Sequence, residues 1–345
     1  MGMTYMNLLA SSHTRRILHV LATVLVVGFS LYGGLAIFYW LGWPVWLRYC
    51  GAIIFPVVVL GLWLWPKPEY LIRRGLAVGL LTILFIGYAV KTPVEQEWVP
   101  LMSRHASVAI DGDFVTITNF RDAVHRTGQP SVPVWTTESF DLSQLTGADL
   151  IIQPFGTSKA TAHILLSLGF ADGRHIVVSM ESRQAKGRAF DAVAGFFRHD
   201  QIYPELATER DLFWERLART PPDNLQIYPI RKRPEVLRAY LERIFAFTNN
   251  VRDTPKFYST LDESCMTAFI NLAPESFASV PFYDVRRWIP GYSLSLFQQL
   301  DLVDDSLPAD ELARRYSLQP NLQAPDQFSS DAAWSTYVRQ HRGAL

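Results

Sequence analysis

The chain opens with three long apolar runs and then changes to a mixed pattern in which apolar positions alternate or recur at helical spacing. Ile17 to Trp43 is 27 residues without a formal charge, ample for one transmembrane helix. Tyr49 to Trp65 and Gly75 to Val90 follow, each short for a bilayer but extendable by snorkelling of Arg48, Arg74 and Lys91 and by interfacial rings such as Trp43, Trp46, Trp63 and Trp65. The first run exceeds a signal-peptide core and no small-residue cleavage pattern follows it. The pattern therefore predicts three membrane helices over residues 17–90, after an N-terminal segment of residues 1–16. Merging the two short runs into a hairpin or re-entrant pair is the alternative.

Residues 91–110, with Pro93 and Pro100, read as a linker. Phe114 to Phe120 alternates like a strand after the turn Asp111-Gly112-Asp113, and a further strand is expected around Leu150 to Gln153. Ala162 to Phe170 and Arg174 to Arg183 flank Ala171-Asp172-Gly173, a hairpin signal. One face of its first strand (Ile164, Leu166, Leu168, Phe170) is wholly apolar, with His163, Leu165 and Ser167 on the other. Phe196, Phe197 and Tyr203 look like aromatic anchors of a loop, followed by the charged cluster Glu209-Arg210-Asp211. Asp223 to Ile230 reads as a strand, and Glu235 to Phe247 as an amphipathic helix started by Pro234. Met266, Phe269 and Ile270 recur at helical spacing behind the N-cap types Asp262 and Ser264. These elements predict an α+β soluble domain over residues 111–280, with residues 281–345 as an extension packed on it.

Charge divides the chain. Residues 1–90 carry six Lys/Arg against the single acid Glu69, a net of +5, and the remainder carries −5. Arg15 and Arg16 precede the first run, Lys67, Arg73 and Arg74 sit between the second and third, and only Arg48 separates the first two. The positive-inside rule then puts the N-terminus in the cytoplasm, and three crossings deliver everything after Lys91 to the other side. The expectation is a multi-pass bacterial inner-membrane protein with a periplasmic domain. Its mild acidity gives no support to nucleic-acid binding.

The chain has two cysteines. Cys50 lies in an apolar run, so no disulfide framework is expected. Cys265 is placed in the first turn of a helix, where unpaired N–H groups and the macrodipole favour a thiolate; the bland alternative is a buried core thiol. In the hairpin, a three-residue loop with Gly173 left-handed sets Glu181 opposite His163, whereas a two-residue turn sets Ser182 there. With Glu181, His163 gains an orienting carboxylate; the alternative is an ordinary strand histidine. No Walker loop, GxGxxG or GxSxG occurs, and the eight histidines lack metal-ligand spacing, so neither a metal nor a cofactor is expected. What remains is a thiol, an upstream histidine and a carboxylate. In papain-like chemistry the helix carries the nucleophile, the imidazole takes its proton and helix-start N–H groups stabilise the oxyanion. Histidine before cysteine is the order of circularly permuted members of that fold.

The segments TNFRD (Thr118 to Asp122), AHILLSLGF, VSMESR (Val178 to Arg183), ERD (Glu209 to Asp211), FYSTLDESC (Phe257 to Cys265) and WIPGY (Trp288 to Tyr292) resemble, in this order, the Lnb N-terminal periplasmic domain family. That family is similar to permuted NlpC-like and lecithin:retinol acyltransferase-like proteins, and its namesakes are implicated in N-acylation of bacterial lipoproteins. The resemblance implies a permuted papain-like fold with an antiparallel sheet, Cys265 as nucleophile, His163 as general base and Glu181 as orienter. Asn119 and Arg121 fall on the family's Asn-Phe-Arg motif, positioning a headgroup or bracing the site against Asp211, and Arg183 joins them as a substrate-binding candidate. Ser264 stands where the family commonly has Asn, and Thr267 sits one residue late. The function expected is a membrane-anchored thiol acyltransferase working through a thioester, with phospholipid and lipoprotein substrates. A thiol hydrolase acting on peptidoglycan peptides or lipid esters is the second reading, and a non-catalytic envelope scaffold the third.

Overall fold

The computed structural model describes residues 12–65 and 69–343. The chain divides into two units, residues 1–92 with 196–199, and residues 93–195 with 200–345. The first eleven residues and Lys67, on which the expected orientation partly rests, lie outside the described residues.

In the first unit the three apolar runs form α1 (Ser12–Trp40), α2 (Val45–Leu64) and α3 (Tyr70–Val90), each long and apolar enough to cross a membrane. Pro44 ends the connection after α1 and starts α2, as its fixed φ and missing N–H favour at a helix start. Val26, Val59, Trp63, Ala77 and Leu81 interlock between the helices, while Leu21, Val24, Ile53, Val57 and Ile83 point outward. Apolar side chains on an outer surface are costly in water and at home in lipid. At Gly34 a Cβ would run into the Ala52 carbonyl; the small residue lets α1 and α2 approach closely.

The second unit is built on one eight-stranded sheet. Its strands are β1 (Ser107–Asp111), β2 (Phe114–Arg121), β3 (Trp135–Asp141), β4 (Leu145–Pro154), β5 (Ala162–Phe170), β6 (His175–Arg183), β7 (Gln201–Ala207) and β8 (Gln226–Pro229). Their order is β1-β2-β7-β6-β5-β4-β8, with β3 also on β2. All pairings are antiparallel except β2 with β7, parallel at Arg121 and Ala207. The domain is α+β, as expected, and its sheet is mixed rather than wholly antiparallel. β2 changes register between Thr118 and Phe120, with Asn119 left-handed (φ 57°) at the irregularity; asparagine tolerates that conformation better than most residues.

Both faces of the sheet are covered. Ile164, Leu166, Val178 and Met180 pack with Leu237, Leu241, Ile244 and Phe245 of α5 (Pro234–Asp253) and with Met266 and Phe269. On the other face Leu165 and Val177 meet Leu212 and Phe213 of α4 (Glu209–Leu217), and Trp334 and Val338 of α9 (Asp331–Gln340). Between α5 and α9 lie the short helices α6 (Thr267–Leu272), α7 (Ser293–Gln299) and α8 (Ala309–Tyr316).

The hairpin has the three-residue loop. Phe170 and Arg174 are joined through Phe170 N–H to the Arg174 carbonyl at 3.0 Å, Gly173 is left-handed (φ 82°), and Leu165 pairs with Ser179. Continuing that register sets Glu181 opposite His163.

Candidate active site

His163 is the second residue of β5 and Glu181 the third from the end of β6, so the hairpin brings both to one end of the sheet. The His163 Nε2–H is shared between the Ser179 Oγ at 2.7 Å and the Glu181 Oε1 at 3.0 Å. Ser179 in turn donates to the same carboxylate oxygen at 2.6 Å. Arg216, reaching in from α4, donates to Glu181 at 3.1 Å, to the Gln153 side chain at 2.6 Å and to the Leu212 carbonyl at 2.8 Å. The alternative orienter, Ser182, is turned to Asp200 at 3.2 Å.

Cys265 stands at the start of α6, whose assigned turns begin at Thr267, and directly follows the residue that caps them. The Ser264 Oγ accepts the N–H groups of Met266 and Thr267, at 3.4 and 3.2 Å, and the Thr267 Oγ1 accepts the Ser264 N–H at 2.8 Å. This is a reciprocal cap of the capping-box type. It also spends the amides expected to hold an oxyanion. The Cys265 N–H points instead at the Tyr258 hydroxyl, at 3.5 Å.

Cys265 and His163 line one cavity of about 510 Å3, in the range of small-molecule sites, together with Glu181, Gln153, Arg216, Tyr258, Phe155, Phe190 and Trp288. Its lining is polar around the imidazole and aromatic elsewhere. Burial would lower the His163 pKa, but the Glu181 carboxylate and the neighbouring Cys265 outweigh it and hold the imidazole up at about 10. Burial would raise Glu181, and His163, Arg216 and Ser179 instead keep it well below the usual carboxylate range. Burial, helped by Cys265, pushes the Tyr258 hydroxyl well up, so it remains a donor.

Asn119, Arg121 and Arg183, expected to bind substrate, do not line this cavity. The Asn119 side chain donates to the His105 carbonyl at 3.0 Å. Arg121 is buried, forked onto Asp211 at 2.8 Å for both bonds, with Glu215 at 2.7 Å and Glu205 as further partners. Of its two expected roles, the link to Asp211 is the one present. Arg183 donates to the Met102 carbonyl at 3.0 Å and lies 4.1 Å from the Trp98 ring. Cys50 is exposed on α2.

Among the described residues, two groups have donors close enough for a cation, His125-Asp211-Glu215 and Asp149-His175-Glu209. In each an arginine already occupies the carboxylates, Arg121 in the first and Arg339 in the second. A positive side chain at that place repels a second cation.

Residues 131–291 match the family model of the Lnb N-terminal periplasmic domain. The Lnb match holds His163, Glu181 and Cys265, and starts after Asn119 and Arg121, so it is shorter at its beginning than the resemblance read from Thr118 to Tyr292. No curated protein and no solved structure matches the chain. The match to a periplasmic domain family, together with three apolar helices, fits a membrane-anchored periplasmic protein of the inner membrane.

Sequence reasoning missed Ser179, Arg216, Tyr258 and Gln153. Ser179 was within reach, being two residues from Glu181 on the same strand face. Tyr258 stands in the segment singled out for Cys265. Arg216 carried no signal, because α4 reads as a charged cluster.

Proposed function

We propose that the chain is a membrane-tethered thiol acyltransferase, oriented with its N-terminus in the cytoplasm and its Lnb-type domain in the periplasm. The observation that carries the proposal is the shared cavity of Cys265 and His163, with Glu181 bound to the far nitrogen of the ring. Because Nε2 is occupied, Nδ1 is left for the sulfur. An imidazolium beside a sulfur favours the thiolate.

The Cys265 thiolate attacks the ester carbonyl of a phospholipid. The C–O bond breaks, and the imidazolium gives its proton to the departing alkoxide, leaving a lysophospholipid and a thioester. An amine, such as the N-terminal cysteine of a lipoprotein, then attacks the thioester; the C–S bond breaks, an amide forms and a proton returns to the imidazole–thiolate pair. The Cys265 N–H, which meets the Tyr258 hydroxyl at only 3.5 Å, and that hydroxyl are the donors we assign to the oxyanion. Tethering supports transfer, since both substrates reside in the bilayer.

The polar part of the cavity favours hydrolysis as the second reading: Gln153, Arg216 and Glu181 suit a wet site, and water in place of the amine gives a thiol hydrolase. A scaffold requires no such convergence of thiol and imidazole.

The test is incubation of the full chain in membranes with a labelled phospholipid, followed by mass spectrometry of the Cys265 peptide. An acyl adduct in the wild type and none in Cys265→Ala is expected. No adduct, or one unchanged in the variant, contradicts acyl transfer; an adduct lost only to water selects hydrolysis.

A further inference from the structure

The loop from Pro281 to Tyr292 contains a buried cation with no anion to answer it. Arg287 is 9% exposed, yet no carboxylate pairs with it among the described residues. Its Nη2 donates to the neutral Asn271 side chain at 3.2 Å, and its Nε is enclosed without a hydrogen-bond partner. The nearest acid in sequence, Asp284, is committed to Arg286 through three contacts of 2.6 to 3.2 Å.

Other buried arginines of the domain are provided for. Arg121 and Arg216 meet carboxylates, and Arg183 has both its Nε and Nη1 on oxygen acceptors. Besides the Asn271 amide, Arg287 has the rings of Phe282 and Trp288, each 5.4 Å from the guanidinium. Cation–π attraction offsets part of the desolvation cost of a buried charge, not all of it. An anionic ligand would complete the site.

Two features identify that ligand. Trp288 lines the cavity of Cys265, and Asn271 sits on α6, the helix that follows Cys265 in the chain. On the same loop Phe282, Tyr283 and Val285 are 75%, 84% and 61% exposed. Exposed aromatic and aliphatic side chains around a cation fit an anion attached to an apolar body, and aromatic rings favour the headgroup level of a bilayer. With Nε enclosed, an anion would meet the Nη edge of the guanidinium, whose charge-assisted bonds suit phosphate oxygens.

We propose that Arg287 holds the phosphate of a glycerophospholipid, with Phe282, Tyr283 and Val285 against its apolar part, beside Cys265. This deepens the acyl-transfer reading and rests on it for the fate of the lipid, but binding can be measured without catalysis.

The experiment uses the full chain in a neutral detergent, titrated with dioctanoyl phosphatidylglycerol, dioctanoylglycerol and inorganic phosphate, with binding read by calorimetry. The phosphatidylglycerol binds at least about tenfold tighter than the diacylglycerol, and Arg287→Gln removes that advantage, as loss of a charge-assisted contact implies. Arg287→Lys retains part of it, and inorganic phosphate does not compete at equal concentration. Equal binding of the two lipids, or unchanged binding in Arg287→Gln, overturns the proposal. Competition by inorganic phosphate as strong as by the lipid would assign a soluble phosphate ligand instead and overturn the lipid. Should Arg287→Gln fail to fold, the comparison of lipids on the wild type decides, with Phe282→Ser as the second variant, expected to weaken lipid binding and contradicting the proposal if it does not. If the wild type binds the lipid in this way but forms no thioester, acyl transfer fails and the lipid site stands; if the thioester forms without dependence on Arg287, the lipid site fails alone.

Discussion

Burial alone would strip His163 of its proton; Glu181 and Cys265 reverse the sign and hold the imidazole at about 10. Glu181→Gln removes the first of these influences, so the His163 value falls back towards 6.5, read from the imidazole carbon shifts by NMR; an unchanged value would show that Glu181 does not orient the ring. The same pair links stability to pH. His163 is raised from its ordinary 6.5, so its contribution is complete below about pH 6.5 and is lost as pH climbs towards 10. Glu181 is lowered from 4.5, so its contribution is present above about pH 4.5 and is lost on acidification. The difference in Tm between wild type and Glu181→Gln is therefore widest between those values and narrows on either side. A difference that stays constant to pH 10 contradicts the pairing. In the proposed reaction, Glu181→Gln also slows formation of the Cys265 adduct roughly 100-fold or more, the scale of acid–base catalysis by a positioned side chain.

At the scale of elements, α4 ties the site to the sheet. Its N-cap Thr208 accepts the Asp211 N–H at 3.2 Å, its buried Asp211 meets Arg121 of β2, and its Arg216 meets Glu181 of β6. Arg121→Ala leaves Asp211 without its guanidinium partner, and breaking such a buried pair costs about 3–5 kcal/mol. Chemical denaturation of the full chain should show a loss of that order; a loss below about 1 kcal/mol would mean the cluster relaxes without it. α4 is also the element least visible in the sequence. ERDLFWERL reads as surface because Glu209, Asp211 and Arg216 are charged, and they are buried because each meets a partner from another strand or helix. β7 was hidden for a similar reason, since QIYPELA carries Pro204 and the buried Glu205. The β5–β6 hairpin was legible because its signals are local: alternation on both sides of Asp172-Gly173 marks the turn and narrows the residue opposite His163 to Glu181 or Ser182, and the three-residue loop selects Glu181. At Cys265 the sequence offered two cap types, Asp262 and Ser264; it is Ser264 that caps α6, with Thr267 answering it, a reciprocal pairing that residue type alone does not specify.

Over the whole molecule, apolar helices, an acidic domain and a thiol–imidazole cavity drawn from distant parts of the chain make one proposal, a catalyst kept at its lipid substrate. Cutting the chain at Thr92–Pro93, where its two units divide, should slow acylation by vesicle lipid about 100-fold or more while leaving reaction with a soluble short-chain ester unchanged, the range expected when an effective concentration is lost; equal slowing of both would point to damage in the domain. The claim at the centre is that His163 activates Cys265, and it can be measured without knowing the substrate. In a Cys50→Ser background, the alkylation rate of Cys265 by iodoacetamide at pH 7 is compared with that in His163→Ala. The rate should fall at least about tenfold without the imidazole; an equal rate in both proteins would contradict the thiol chemistry proposed for this site.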